Sequence, residues 1–421
     1  MDVIVLGAGI IGVTTAWYLR QNGHNVRVLE RREQAGLETS FANAGQVSAH
    51  LADPWANPTT LRSVFTWLFR DDTPLVFRPR ADIHQWSWLF KFLRECPASR
   101  YNRNLVHLAN LGVYSRTALQ ALRAQTGIEY DERQRGILLF FTEEDKLRGA
   151  AAAAKRLAAS GLRREVLDAD QCLEIEPSLQ SVRDALKGGI YSRYDETGDA
   201  FKFTQRLAAL ARDAGVRFDY GNDIRRVDVG GGAIRAIDVQ KADGRTERYT
   251  ADQYVLCLGP ASARMARKIG VDLDIYPVKG YSVTMPVREG ALAVSMGLTD
   301  AAQKMAFSRL GDRVRATAIA EIAGYDRSID QKRCRQIVAN AQRLFPDALD
   351  TGRAEYWAGL RPMTPSNLPI IGRNGRYRNL LINTGHGTIG WTQSCGSARA
   401  IADILEGRRP DCDYPFIGEM R

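Results

Sequence analysis

Cysteine and histidine are scarce in this chain, six and five among 421 residues. Cys96, Cys172, Cys257, Cys334, Cys395 and Cys412 make no C-x-x-C pair and no metal-ligand spacing with the histidines, which argues against a metal centre and for a reducing, cytoplasmic setting. No uninterrupted apolar run reaches the ~18–20 residues of a membrane span. Nor is there a charged tail: 58 basic and 48 acidic residues give a net charge of +10, spread along the sequence. That spread reads as general basicity, and without an aromatic–basic motif no nucleic-acid partner is expected. At 45% hydrophobic and 25% charged the composition is that of a globular protein, and 421 residues exceed the ~250–300 at which a single core stops growing, so two domains are expected.

The strongest signal lies at the start. Residues 3–12 read V-I-V-L-G-A-G-I-I-G, an apolar strand running into G-x-G-x-x-G, and the next apolar run, 26–29, ends in Glu30. Gly7 permits a tight turn, Gly9 lets backbone N–H groups approach a pyrophosphate, and Gly12 lets the following helix pack on the strand. Phosphates then meet the positive end of that helix. Glu30 follows Gly12 by 18 residues, close to the ~20 expected of an acid that binds ribose hydroxyls. The apolar stretch 3–19 lacks a basic leader segment and is read as folded structure, not a secretory signal.

Further along, 53–96 is crowded with aromatics, including four of the seven tryptophans. Either a surface element docks on a bilayer through Trp and Phe with Arg70, Arg78, Arg80, Lys91 and Arg94 on headgroups, or a helical excursion packs its aromatics into the second domain; helical spacing favours packing. Helices are expected over 104–125, 201–214, 331–344 and 393–405, and an alanine-rich one ends near 160–161. Strands are expected over 136–141, 216–220, 234–239, 245–250 and 254–259, the last joining the sheet begun at Val3. Alternation over 276–287 and 307–320 suggests a sheet solvated on one face. Near the end, 380–383 is a strand followed by a glycine turn at 384–387 and a helix. A second helix N-terminus some 370 residues after the first suits a ligand as long as FAD, whereas NAD could use the first turn alone.

With these segments in hand, the chain resembles the D-amino-acid oxidase superfamily of FAD flavoproteins, most closely the bacterial D-amino-acid dehydrogenases. The resemblance rests on 3–19, T-S-F-A-N-A-G-Q at 39–46, D-E-T-G-D at 195–199, P-V-K-G-Y at 277–281, W-A-G-L-R-P-M-T-P at 357–365 and G-H-G-T-I-G-W-T at 385–392, in the family's order. It implies an α/β fold with an α+β part: a Rossmann-like FAD-binding domain from segments 1–50, 200–270 and 355–421, and a β-rich antiparallel substrate domain from 51–199 and 271–354. The expected cofactor contacts are Val5, Gly7, Ala8, Gly9, Ile10, Ile11, Gly12, Glu30 and Arg31 at the first turn. Ser40, Ala42, Asn43, Ala44, Gly45 and Gln46 approach the ring, with Ile224 and Gly259 beside the dinucleotide. Arg361, Gly385, His386, Gly387, Thr388, Ile389 and Gly390 complete the set.

In the resemblance Arg361 is the carboxylate clamp, where a planar guanidinium matches a carboxylate bidentately. Tyr281 and Lys279 line the flavin and substrate cavity, His386 stands by the flavin pyrimidine edge, and Gln46 and His50 are cavity groups. The implied reaction is oxidative deamination of a D-amino acid by hydride transfer from Cα to flavin N5, giving a 2-oxo acid and ammonia, with electrons passed to a quinone or other acceptor. Relatives that attach FAD covalently do so through a cysteine just after the clamp; 362–369 contains none, so non-covalent FAD is expected. A quinone chain would give 53–96 a peripheral membrane role on the cytoplasmic face of the inner membrane. Two alternatives stand beside this: a dehydrogenase of cyclic imino acids such as D-proline or hydroxyproline, and a non-catalytic flavin-binding subunit of a complex.

Overall fold

A computed structural model describes residues 1–50, 53–60, 75–158 and 163–418. Two large sheets organise the chain. The first has six strands in the order Ile370–Arg373, Leu380–Thr384, Gln253–Leu256, Asp2–Leu6, Asn25–Leu29 and Arg217–Asp219, all parallel except the first. Its central strand is covered on both faces, as a parallel strand requires. Val3 and Val5 pack under the helices Ile10–Gln21, Ala98–Thr126, Ala200–Asp213 and Gly390–Leu405. Ile4 and Leu6 pack against a three-stranded sheet formed by Asp223–Gly230, Ala233–Gln240 and Thr246–Tyr249.

Glycine sets the spacing of the helical layer. A Cβ on Gly396 would stand 2.7 Å from Ser115, whose hydroxyl accepts the Gly396 N–H at 2.9 Å, so the C-terminal helix and Ala98–Thr126 touch backbone to backbone. Asp199 caps Ala200–Asp213 by accepting from the Phe201 and Lys202 N–H groups, leaving the start of that helix fixed.

The second sheet has nine strands. Tyr276–Pro286 lies between Glu355–Met363 and Arg313–Ile322, with Met305–Leu310 and Gly297–Asp300 beyond; Leu75–Phe77 runs alongside Arg313–Ile322. The C-terminal part of the chain is thus shared, Glu355–Met363 pairing in this sheet and Ile370–Arg373 and Leu380–Thr384 in the first. The expectation of one solvated face is corrected here. Ten of the eleven residues of Tyr276–Pro286 are buried, because helix Gln331–Leu344 covers Val283 and Met285 while other elements cover the opposite face. The alternation over 307–320 is two strands, broken by a turn at Gly311 with φ +60°.

In the aromatic stretch, Trp88 and Phe92 of helix Ile83–Glu95 are buried against Tyr276, Val278 and Met363, as the packing alternative requires. Ile83, Trp86 and Phe90 of the same helix are exposed at 76%, 46% and 63%. Phe65, Trp67, Leu68, Phe69 and Arg70 lie outside the described residues. Among the described residues no helix is long and apolar enough to cross a membrane.

Candidate active site

The first turn is built by close approach. Gly7 has φ +99°, and a Cβ on Gly12 would stand 1.9 Å from the Gly7 carbonyl oxygen, so neither position tolerates a side chain. The Glu30 carboxylate accepts the Ala8 N–H at 2.7 Å and the Arg32 N–H at 2.9 Å, and its burial raises its pKa. The small polar stretch 39–46 lies on this turn, with Ser40 Oγ accepting the Ile10 N–H at 3.0 Å.

The second turn approaches from the other end of the chain. Gly385 and Gly387 have φ +83° and +54°, and the Gly387 N–H donates to the Pro362 carbonyl at 3.0 Å. This ties the turn to the strand that carries Arg361. His386 is 2% exposed, its Nε2 has no partner among the described residues, and burial pulls its pKa down to about 3, so it is neutral at pH 7. Neither Gly9 nor Ile389, the residues preceding the two helices, supplies a side-chain cap. Ser40 takes the Ile10 N–H of the first helix; the remaining first-turn N–H groups and the positive dipole ends are left for an anionic ligand.

One cavity of about 820 Å³ joins the two turns, a size within the range of small-molecule and cofactor sites. Gly7, Gly9, Ile10, Ile11, Glu30 and Arg31 line it from the first turn; Ser40, Ala42, Asn43, Ala44 and Gln46 follow. Ile224, Gly259, His386, Gly387, Thr388, Ile389 and Gly390 line it as well, together with Arg361. Val5, Ala8, Gly12, Gly45 and Gly385 do not line it; Val5 lies within strand Asp2–Leu6.

Arg361 faces the cavity in an unusual setting. Its Nη1 donates to the backbone carbonyls of Ile319 at 3.2 Å and Lys279 at 3.4 Å, and its side chain lies flat over Gly280, where a Cβ would come within 2.2 Å of Cζ. Ile319 is the extra residue of a β-bulge, held at φ +66°, a strained conformation for a β-branched side chain that turns its carbonyl to the guanidinium. Desolvation pulls the Arg361 pKa down to about 10, and among the described residues no carboxylate lies within 4.0 Å of it. A desolvated, uncompensated cation opening on a cavity is a receptor for an anion.

Two expected cavity groups, Lys279 and His50, do not line the cavity, while Tyr281 does. Val278 pairs with Arg361 across the strands, so the period-two alternation turns Lys279 and Tyr281 to the opposite face. Lys279 Nζ is held by Asp326 at 2.8 Å and Glu321 at 3.4 Å and does not line the cavity. Tyr281 reaches the cavity wall, but its hydroxyl donates to Glu321 at 2.8 Å, and burial pushes its pKa up to about 12. His50 is buried against Asp195, which also accepts the Ala49 and His50 N–H groups and so fixes the 48–50 turn. Gln46 does reach the cavity, its amide donating to Leu298 and Phe307 carbonyls. Sequence reasoning missed Glu38, whose carboxylate is shared by Arg31, Arg32 and Arg327 at the cavity edge, and did not single out Trp55 beside Arg361.

Residues 2–404 match the family described as FAD dependent oxidoreductase. The chain belongs to that family. It is 48% identical over 417 residues to a D-amino acid dehydrogenase of Dechloromonas aromatica, covering 99% of this chain and 100% of that one. Over 409 residues it is 48% identical to a D-amino acid dehydrogenase of Paramagnetospirillum magneticum, covering 97% and 96%. Among solved structures it superposes on glycine oxidase from Geobacillus kaustophilus with a TM-score of 0.75 at 22% identity, covering 98% and 96%, a likeness of fold. The residues present in this FAD-dependent oxidoreductase fit the cofactor: a backbone cradle at Gly7 and Gly12 that any Cβ would fill, a second uncapped helix start across one continuous cavity, and an orphaned buried His386 Nε2.

Proposed function

We propose that this FAD-dependent oxidoreductase oxidises D-amino acids to 2-oxo acids and ammonia, holding FAD non-covalently. The observation that carries the proposal is Arg361, a cavity guanidinium with backbone carbonyls on one edge and no carboxylate partner among the described residues. The names of the relatives, at 48% identity over nearly the whole chain, support the same substrate class.

The first turn and its helix would hold the dinucleotide's phosphates, and 385–390 would face the ring with N–H groups that stabilise negative charge. When bound, the flavin supplies the two-electron acceptor for the substrate's Cα–N bond. Arg361 binds the carboxylate bidentately and fixes the amino acid by its one invariant anionic group. Its carbonyl partners hold the guanidinium plane without neutralising it. Neutral His386 adds no competing charge, and the Tyr281 hydroxyl, turned to Glu321, leaves the site without a strong base, so the substrate amine loses its proton to solvent before oxidation. Water then releases ammonia from the imino acid.

Arg361→Ala tests this. KM for D-alanine is expected to rise steeply with flavin occupancy unchanged; unchanged kinetics would remove Arg361 from the role. A ring imino acid fits the same clamp, and ranking D-alanine against D-proline by kcat/KM separates the two donor types. A non-catalytic subunit would have no use for an uncompensated guanidinium. For the acceptor we propose a quinone drawn from a bilayer, supported by exposed Ile83, Trp86 and Phe90 on a helix that also carries Lys91 and Arg94. Faster reoxidation by a quinone analogue with liposomes than without would support that route, and equal rates would count against it.

A further inference from the structure

Trp55 belongs to the irregular segment 53–57, which leads into helical residues 58–60 and is tied down by several hydrogen bonds. Its N–H donates to Asn367 Oδ1 at 2.9 Å, and the same amide oxygen accepts the Ala56 N–H at 3.2 Å. Its carbonyl accepts the Thr60 hydroxyl at 2.7 Å and the Asn57 amide at 3.2 Å. Asn367 makes its contribution from φ +65°, a conformation that asparagine tolerates better than most residues. These anchors hold a side chain that is only half buried and whose indole N–H has no partner among the described residues. The ring lines the cavity and lies 6.0 Å from Arg361 Cζ. Phe92 and Leu75 continue the same wall.

The guanidinium has Gly280 beneath it, carbonyls along one edge and the Trp55 ring 6.0 Å from its Cζ. An aromatic face near a desolvated cation stabilises it without consuming its charge. An amino acid whose carboxylate sits on Arg361 would bring its side chain into the cavity that Trp55 lines.

Resting on the proposed oxidation of D-amino acids, we infer that Trp55 is the specificity-determining wall of the carboxylate clamp, covering Arg361 and limiting substrate side-chain size, with Asn367 as its positioning residue. Small apolar side chains rest against the indole, and large aromatic ones collide with it.

The test compares kcat/KM for D-alanine and D-tryptophan in the flavin-loaded native enzyme, Trp55→Ala, Trp55→Phe and Asn367→Gly, with flavin content and Tm measured on each. Trp55→Ala is expected to lower the D-alanine to D-tryptophan ratio by about tenfold or more, mainly through KM. Trp55→Phe keeps a ring and holds the ratio within about threefold. Asn367→Gly retains the left-handed conformation while freeing the segment, and moves the ratio the same way by a smaller factor, about threefold or more. A purely structural role would lower both substrates' kcat/KM together and leave the ratio unmoved. A ratio within about twofold of native in Trp55→Ala overturns the inference, and if that variant does not fold, the same result in Asn367→Gly overturns it. Should flavin-loaded native enzyme be reduced by no D-amino acid at all, the underlying oxidation falls instead, an outcome visible before any variant is made.

Discussion

Replacing Gly280 by alanine probes the clamp through a residue that never touches substrate chemistry itself. Gly280 sits mid-strand, paired with Gly359 on one side and Ala320 on the other, so its backbone cannot retreat. Its φ is not left-handed, and alanine brings no conformational penalty. The new Cβ would stand 2.2 Å from Cζ and Nη2 of Arg361 and 2.4 Å from Nη1, so the guanidinium must leave its seat on the Ile319 and Lys279 carbonyls. Losing a well-placed hydrogen-bonded charge pair costs ~1.5–3 kcal/mol. At 1.36 kcal/mol per tenfold, kcat/KM for D-alanine is expected to fall about 10- to 150-fold. Steady-state assays with an artificial acceptor read this loss, while flavin content and Tm report the overpacking cost of ~1–3 kcal/mol separately. A variant within about threefold of native kcat/KM would refute the seating of Arg361 over Gly280.

Gly12→Ala places a Cβ 1.9 Å from a backbone oxygen that no rotamer can avoid, so purified protein should be low in flavin and lower in Tm. Tyr281→Phe removes a hydroxyl that serves Glu321, and stability should drop by ~1 kcal/mol while kcat/KM stays within a few-fold of native; a loss of several orders in kcat would return Tyr281 to the chemistry. His386 is held neutral with its pKa lowered from 6.5 to about 3, so its stabilising contribution is complete above pH 6.5 and drains away as pH falls towards 3. Between about pH 7.5 and 5 this amounts to about 2 kcal/mol; His386→Gln should show a smaller acid-induced drop in Tm than native, and an equal drop would mean the imidazole is not desolvated.

The cofactor cradle was legible because its constraints are local. Gly7 and Gly12 must lack side chains for a turn only six residues long, and a pattern of glycines after an apolar run records that need directly. Helix Gln331–Leu344 was legible for the same reason, its apolar spacing bounded by Asp330 and Pro346. The substrate side depends on pairings between distant segments. Lys279 and Tyr281 lie two residues apart with Gly280 between them, but whether they face the same way as Arg361 depends on the register Val278 to Arg361, set by strands some 80 residues apart. His50 looked like a free cavity group because its partner Asp195 is 145 residues away. Among the aromatics of 53–96 spacing alone could not tell Trp88, which is core, from Trp86, which is surface, or from Trp55, which walls the cavity. The bulge at Ile319 leaves no signature, since nothing in the residue type announces a positive φ.

The central claim is that two glycine turns from opposite ends of the chain present one flavin to a substrate held on Arg361. Anaerobic mixing of flavin-loaded enzyme with D-alanine, and separately with L-alanine, measures it most directly through the visible flavin absorbance. Bleaching by the D-enantiomer, weak or none by the L-enantiomer, and loss of the D-alanine response at the same concentration in Arg361→Ala are the predicted results. A flavin-loaded enzyme that keeps its colour with every D-amino acid, or bleaches equally without Arg361, would contradict the account.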